Sequence, residues 1–123
     1  MIEPTQEMFA ELAAIADGPD DGEFVMLNLN QYRDRDRYQR YAAVAAQVLV
    51  EVGGSIAWYT PGDRTVVGEP GERWDEVIAV RYPSVAAFLK LATDPRILEK
   101  REDRAAGLER ATLVRCPHGP APA

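Results

Sequence analysis

Between Phe24 and Cys116 the spacing of apolar residues alternates in one order, strand, helix, strand, strand, helix, strand, and few architectures accept it. Its clearest segment is a long helix over Asp36 to Val52. There Tyr38, Tyr41, Ala42, Ala45, Val48, Leu49 and Val52 recur at three- and four-residue spacing and form one stripe. Asp36, with Gln39 three residues on, is placed to cap this helix. Gly53-Gly54 follows it, where a left-handed residue ends a helix at low cost. Before it, Phe24-Val25-Met26-Leu27-Asn28-Leu29-Asn30 has the apolar density and length of a buried strand.

The other segments follow from the same signals. Thr5 is placed to cap a leading helix carrying Met8, Phe9, Leu12, Ile15 and Ala16, which Gly18 and Pro19 stop. Ser55 to Thr60 and Thr65 to Gly68 flank Pro61-Gly62-Asp63 and read as a strand interrupted by a turn or bulge. Trp74 to Tyr82 is a further strand. Pro83-Ser84 opens a helix with Val85, Phe88, Leu89 and Leu91 inward. Asp94-Pro95 opens another, through Ile97, Leu98, Arg101, Ala105 and Leu108, and Gly107 ends it. Ala111 to Cys116 is the last strand. Pro117, Gly119, Pro120 and Pro122 make a tail unable to pair inside a sheet.

This order predicts an α+β chain with the ferredoxin-like β-α-β-β-α-β arrangement, a four-stranded antiparallel sheet and an extra N-terminal helix. One domain spans residues 1–123: helix and loop over 1–22, core over 23–116, irregular tail over 117–123. Both core helices must cover one sheet face. The other carries large side chains such as Trp and Met, so a second copy is the economical cover and a homodimer is expected.

Charge and cysteine usage limit partners and location. Fourteen Lys and Arg stand against twenty Asp and Glu, a net charge of −6, so nucleic acid and anionic membrane meet a repulsive field. No apolar run is long enough to span a bilayer, and the first residues lack the pattern of a signal peptide. The single cysteine, Cys116, has no internal partner, which fits a cytoplasmic chain.

Most catalytic constellations lack their parts. The one histidine, His118, lies in the tail, which leaves no catalytic triad, multi-histidine metal site or conventional haem ligand. The run Asp17-Gly18-Pro19-Asp20-Asp21-Gly22-Glu23 lacks the alternating ligands of a calcium loop and reads as a solvated turn. No phosphate-binding glycine loop follows a strand. No cofactor is therefore expected.

Several fragments together resemble a known family. Val25-Met26-Leu27-Asn28-Leu29, Tyr38-x-x-Tyr41, Gly53-Gly54, Gly68-Glu69, Trp74-Asp75-Glu76-Val77, Tyr82-Pro83-Ser84 with Phe88, Asp94-Pro95 and Arg104-x-x-Gly107-Leu108 are similar to DUF1330, a family of unknown function. The resemblance implies the dimeric α/β-barrel superfamily, which includes cofactor-free monooxygenases, haem-degrading enzymes, chlorite dismutase-like proteins and small isomerases. The fold alone does not choose among them. The chain departs from the family pattern at Asp103, where such proteins often carry a histidine, so a mechanism resting on that imidazole is in doubt here.

Asn28 and Arg104 are the candidate catalytic residues; Trp58, Arg81, Tyr41 and Trp74 are the candidate substrate-binding residues. Strand alternation groups Asn28 with Phe24 and Met26, opposite Val25, Leu27 and Leu29. If the latter set packs on the helices, Asn28 enters the barrel, where its amide would orient a carbonyl or enolate oxygen; otherwise it satisfies backbone groups. Trp58 and Trp74 would line a pocket for a flat ligand or pack an interface. Arg81 or Arg104 would balance negative charge. Arg104 is favoured because the resemblance places it in the family motif. Tyr38 and Tyr41 lie on the inner stripe of the long helix as core residues or proton donors. Two functions stay open: a cofactor-independent, monooxygenase- or isomerase-like enzyme acting on a planar or enolisable compound, and a non-catalytic metabolite-binding or scaffold dimer.

Overall fold

A computed structural model describes residues 3–117; His118 and the tail glycine and prolines after it lie outside the described residues. The elements are α1 (Gln6–Ala16), β1 (Phe24–Tyr32), α2 (Arg35–Glu51), β2 (Ser55–Pro61), β3 (Glu76–Tyr82), α3 (Val85–Ala92), α4 (Pro95–Glu99), α5 (Arg101–Gly107) and β4 (Leu108–Pro117). The strands form one antiparallel sheet in the order β2-β3-β1-β4, the ferredoxin-like arrangement, preceded by the extra helix.

Local chemistry sets the boundaries. Thr5 accepts a hydrogen bond from the Met8 amide at 3.2 Å and caps α1. At α2 the capping side chain is Asp34, which accepts from Arg37 N at 3.2 Å, not Asp36, which sits within the first turn. Gly53, at φ 85°, ends α2 in the conformation that a side chain would disfavour. Ser84 caps α3 from within, and Asp21 adds a second acceptor for the Val85 and Ala86 amides at 2.5 and 3.2 Å. Asp21 is thus more than a solvated turn residue, because its carboxylate sits on the positive end of that helix.

Three expectations about segments need correction. Thr65 to Gly68 forms no strand: β2 ends at Pro61 and the chain loops to β3, while the ladder irregularity falls between Ile56 and Trp58. The single helix expected after Asp94 is two, α4 and α5, broken at Lys100. Pro117 pairs with Phe24, which a proline tolerates because β4 is an edge strand and Pro117 its last residue.

Which sheet face meets the helices is decided by packing. Phe24, Met26, Val80 and Tyr82 form the core with Val48 and Leu49 of α2, Val85 and Leu91 of α3, and Ile97 of α4. Register carries that face along the sheet: Asn28 pairs with Ile78 and Leu113, Asn30 with Glu76 and Ala111, and Met26 with Arg115. All of these side chains turn toward the helices. Val25, Leu27, Leu29, Val77 and Val114 turn the other way, and Trp58 joins them by pairing with Ala79, itself opposite Leu27. Trp58 is 52% exposed on this uncovered face.

Candidate functional site

The inward placement of Asn28 decides between the two sequence alternatives: it lies beneath the helices, its amide on backbone carbonyls, rather than inside a barrel formed by two sheets. The alternation grouping is correct, but the helices chose the Phe24–Met26 set, whose two large side chains are buried in the core. Two adjoining cavities lie between helices and sheet. One, about 370 Å³, runs under α2 past Ile56, Ile78 and Val80. The other, about 760 Å³, runs under α1 and α5 past Phe9, Leu12, Phe88 and Leu113. Asn28, Tyr38, Tyr41, Tyr82 and Leu91 line both.

Asn28 donates through Nδ2 to the carbonyls of Met26 at 3.1 Å and Ile78 at 3.4 Å. Carbonyls can only accept, so the amide orientation is determined and Oδ1 remains the atom available toward the cavity. Asn28 is therefore an acceptor here and does not supply the donor that an enolate oxygen needs. One strand step further, Asn30 is 2% exposed and donates to the Tyr38 hydroxyl at 3.3 Å. Tyr38, as acceptor in that bond, retains its own proton to give.

Tyr38 and Tyr41 stand one turn apart on α2 with ring centroids at 5.6 Å, and Tyr32 lies 5.0 Å beyond Tyr38. The Arg104 guanidinium sits 5.7 Å from the centroid of the Tyr41 ring. Burial, helped by the neighbouring Tyr41, pushes the Tyr38 phenol up to about 12, against the opposing pull of Arg104. Burial also raises Tyr41, with Arg104 working against it. Both are protonated near neutral pH. The cluster therefore offers hydroxyl donors beside a cation, and no ready phenolate base.

Gly107 makes this arrangement possible. A Cβ there would lie 2.6 Å from the Tyr38 nitrogen and 2.7 Å from its Cβ, so α5 packs on α2 with bare backbone. The Gly107 carbonyl accepts from the amides of Arg33 at 2.8 Å and Asp34 at 3.1 Å. Asp103, the position at which the resemblance leads one to expect a histidine, is turned to α2 and accepts from Arg37 Nε at 2.9 Å. It ties α5 down and lines neither cavity.

Of the six expected site residues, Asn28, Tyr41 and Arg104 converge here; Trp58, Arg81 and Trp74 do not. Trp58 is on the opposite sheet face. Arg81 shares that face, pairing with Val25 in the ladder, and makes an ion pair with Glu23 at 3.0 Å. Trp74 lies before β3, donates to Glu72 at 3.0 Å and carries the Arg110 guanidinium 5.3 Å from its ring centroid. Asp75 pairs with Arg73 at 3.2 Å and also accepts from the Tyr32 amide at 2.8 Å.

Asn30, Glu76 and Arg115 were missed. Glu76 is 8% exposed, accepts from the Tyr32 hydroxyl at 2.6 Å and from Arg35 at 3.1 Å, and lines the smaller cavity. Arg115 lines the larger cavity, its guanidinium 5.3 Å from the Phe24 ring centroid. The available signal was alternation: each falls on the face shared by Phe24 and Met26 once the strand register is known.

Comparison with solved structures agrees with this architecture. A protein of unknown function from Rhodopseudomonas palustris is 32% identical, with a TM-score of 0.85, covering 97% of this chain and 98% of that one. At lower identity the likeness is of fold alone. The hydroxynitrile lyase of Passiflora edulis is 12% identical, with a TM-score of 0.55 over 80% of this chain and 94% of that one. SnoaB, a cofactor-independent oxygenase from Streptomyces nogalater, is 15% identical, with a TM-score of 0.53 over 83% and 99%. No curated protein matches by sequence. The model of the domain of unknown function DUF1330 matches residues 23–115, most of the sheet and its helices, and the chain belongs to that family.

Proposed function

We propose that this protein binds a small planar or enolisable molecule in the cavity between helices and sheet and transforms it without a cofactor, in the manner of a monooxygenase or isomerase. The observation that carries this reading is the meeting of Tyr38 and Tyr41, which line both cavities, with Arg104, which lines the larger one. A carbonyl oxygen held there would gain negative charge as the Glu76 carboxylate, which lines the smaller cavity, takes the proton from the carbon beside it. Arg104 would stabilise that charge, and a protonated Tyr38 would donate to it. Asn28 Oδ1 would accept from a hydroxyl or enol on the same ligand. That a lyase and a cofactor-independent oxygenase both use this fold makes such chemistry compatible with the scaffold without selecting it.

A second reading, binding without turnover, draws support from Asn28, whose amide protons are both committed to backbone. Under either reading, two copies pack through the face bearing Trp58, Leu27 and Leu29, and the cavity belongs to each copy alone. A ferredoxin-like protein from Thermobifida fusca, with a TM-score of 0.51, is described as dimeric, which fits this use of the fold.

The test is a thermal-shift screen of aromatic acids, quinones and acyl thioesters, since a ligand that binds only the folded state raises apparent stability. Hits are then incubated with the wild type, Y38F and R104Q. Turnover lost in both variants while binding persists supports catalysis. Binding with no turnover of any hit leaves the binding reading. Hits unaffected by either substitution refute the site.

A further inference from the structure

Arg115 lies on the helix-facing side of β4, opposite Met26, where its neighbours in the strand alternation are Leu113 and Ala111. The residue is only half-buried, yet its Nε is shut off from solvent and has no hydrogen-bond partner among the described residues. An inward charge on an edge strand discourages sheet-to-sheet association, but that purpose is served equally well by a solvated head. A desolvated guanidinium N–H with no acceptor is costly, and such groups in native proteins call for a ligand or a function.

Its position on the larger cavity indicates what the rest of its guanidinium would meet. Asn30 faces Ala111 and Met26 faces Arg115, so the strand carries Arg115 four residues, roughly 13 Å, from the Asn30–Tyr38 end of the cavity. The space between is walled by Met26, Leu113, Phe9, Leu12 and Phe88. Among the described residues the acidic side chains on the lining are Glu3 and Glu11, both exposed and from the α1 side, and Arg101 and Arg104 of α5 are the other cations there. The cavity thus has a polar end, an apolar middle and a half-buried cation, Arg115, at the far end.

We propose that the ligand of this cavity is an organic monocarboxylate with an apolar or aromatic body, its carboxylate received by Arg115 and its carbonyl or hydroxyl presented to Tyr38 and Arg104. This rests on the reading of the cavity as a small-molecule site and adds the class of molecule. A carboxylate accepts two parallel N–H bonds from a guanidinium; with Nε closed to solvent, its oxygens would meet the terminal nitrogens of Arg115. A neutral isostere leaves the guanidinium without a charged acceptor.

Calorimetric titration of the full chain at pH 7 tests this with paired probes: benzoate, phenylbutyrate, benzoylpropionate and octanoate, each against its primary amide. The expected result is that at least one acid binds about tenfold or more tightly than its amide, the range of a hydrogen bond to a charged group. In R115Q that preference should fall to near parity while the Kd of the amide changes little. The wild-type comparison stands whether or not R115Q folds. Acid and amide binding equally would overturn the carboxylate assignment and leave the cavity reading intact, provided Y38F weakens both. A preference that survives in R115Q and disappears in R101Q would place the anion elsewhere and overturn it. No binding of any probe at millimolar concentration would overturn both readings.

Discussion

Replacing Gly107 by alanine places one methyl group where the structure has least room for it. The added Cβ would lie 2.6, 2.7 and 2.8 Å from the nitrogen, Cβ and Cα of Tyr38, all nearer than carbon and nitrogen atoms settle in folded proteins. None of these belongs to a flexible side-chain end, so α5 must back away from α2. Overpacking of this kind costs about 1–3 kcal/mol. The same movement stretches the bonds from Arg33 and Asp34 to the Gly107 carbonyl, whose loss adds about 1 kcal/mol each. The sum is about 3–5 kcal/mol, or roughly 9–20 °C in Tm for a chain of this size. Chemical denaturation measures it, with G22A as the control. Gly22 has nothing within 4 Å of an added methyl and no left-handed φ, so alanine there should be neutral or slightly stabilising, within about 1 kcal/mol. A G107A protein within about 0.5 kcal/mol of wild type would refute the close approach of the two helices. It would also leave the position of Tyr38 and Arg104 without its cause.

Other outcomes follow from the same structure. Tyr38, at about 12 in the folded chain against about 10 when unfolded, keeps its proton longer in the native state; its stabilisation is full below pH 10 and is lost as pH rises through 12. It amounts to about 2–3 kcal/mol, so denaturation midpoints should fall steeply over that window, and Y38F should flatten the fall. Trp58→Glu puts a charge on the uncovered sheet face and should convert a dimer to a monomer by light scattering while changing monomer stability by less than about 1 kcal/mol. A dimer that persists would move the interface elsewhere. Asp103→Ala removes the acceptor that joins Arg37 to α5 and should cost about 1 kcal/mol by urea unfolding, since Asp103 is largely buried and Arg37 partly exposed. No change would mean that the pair is solvated.

Much of the fold is written in local pattern. Strand and helix order, the stripe of α2, the Thr5 cap and the terminations at Gly53 and Gly107 depend on residues near one another in sequence, where spacing and backbone preference decide the outcome. Local signals erred where two were equally good. Asp34 and Asp36 can each cap a helix, and the break at Lys100 is marked by no proline or glycine. The candidate site was legible only in part for a different reason. Alternation divides β1 into Phe24, Met26, Asn28 and Asn30 on one side and Val25, Leu27 and Leu29 on the other. The second set is the more uniformly apolar and reads as the buried one. Only the tertiary structure shows that the helices take the first. Phe24 and Met26 fill the core there, while Asn28 and Asn30 find backbone carbonyls and Tyr38 at the edge of a cavity. One choice of face carried Trp58 and Arg81 away from the site and brought Glu76 and Arg115 into it. The period of a strand is two, so sequence supplies both faces at once, and only packing against distant helices assigns them.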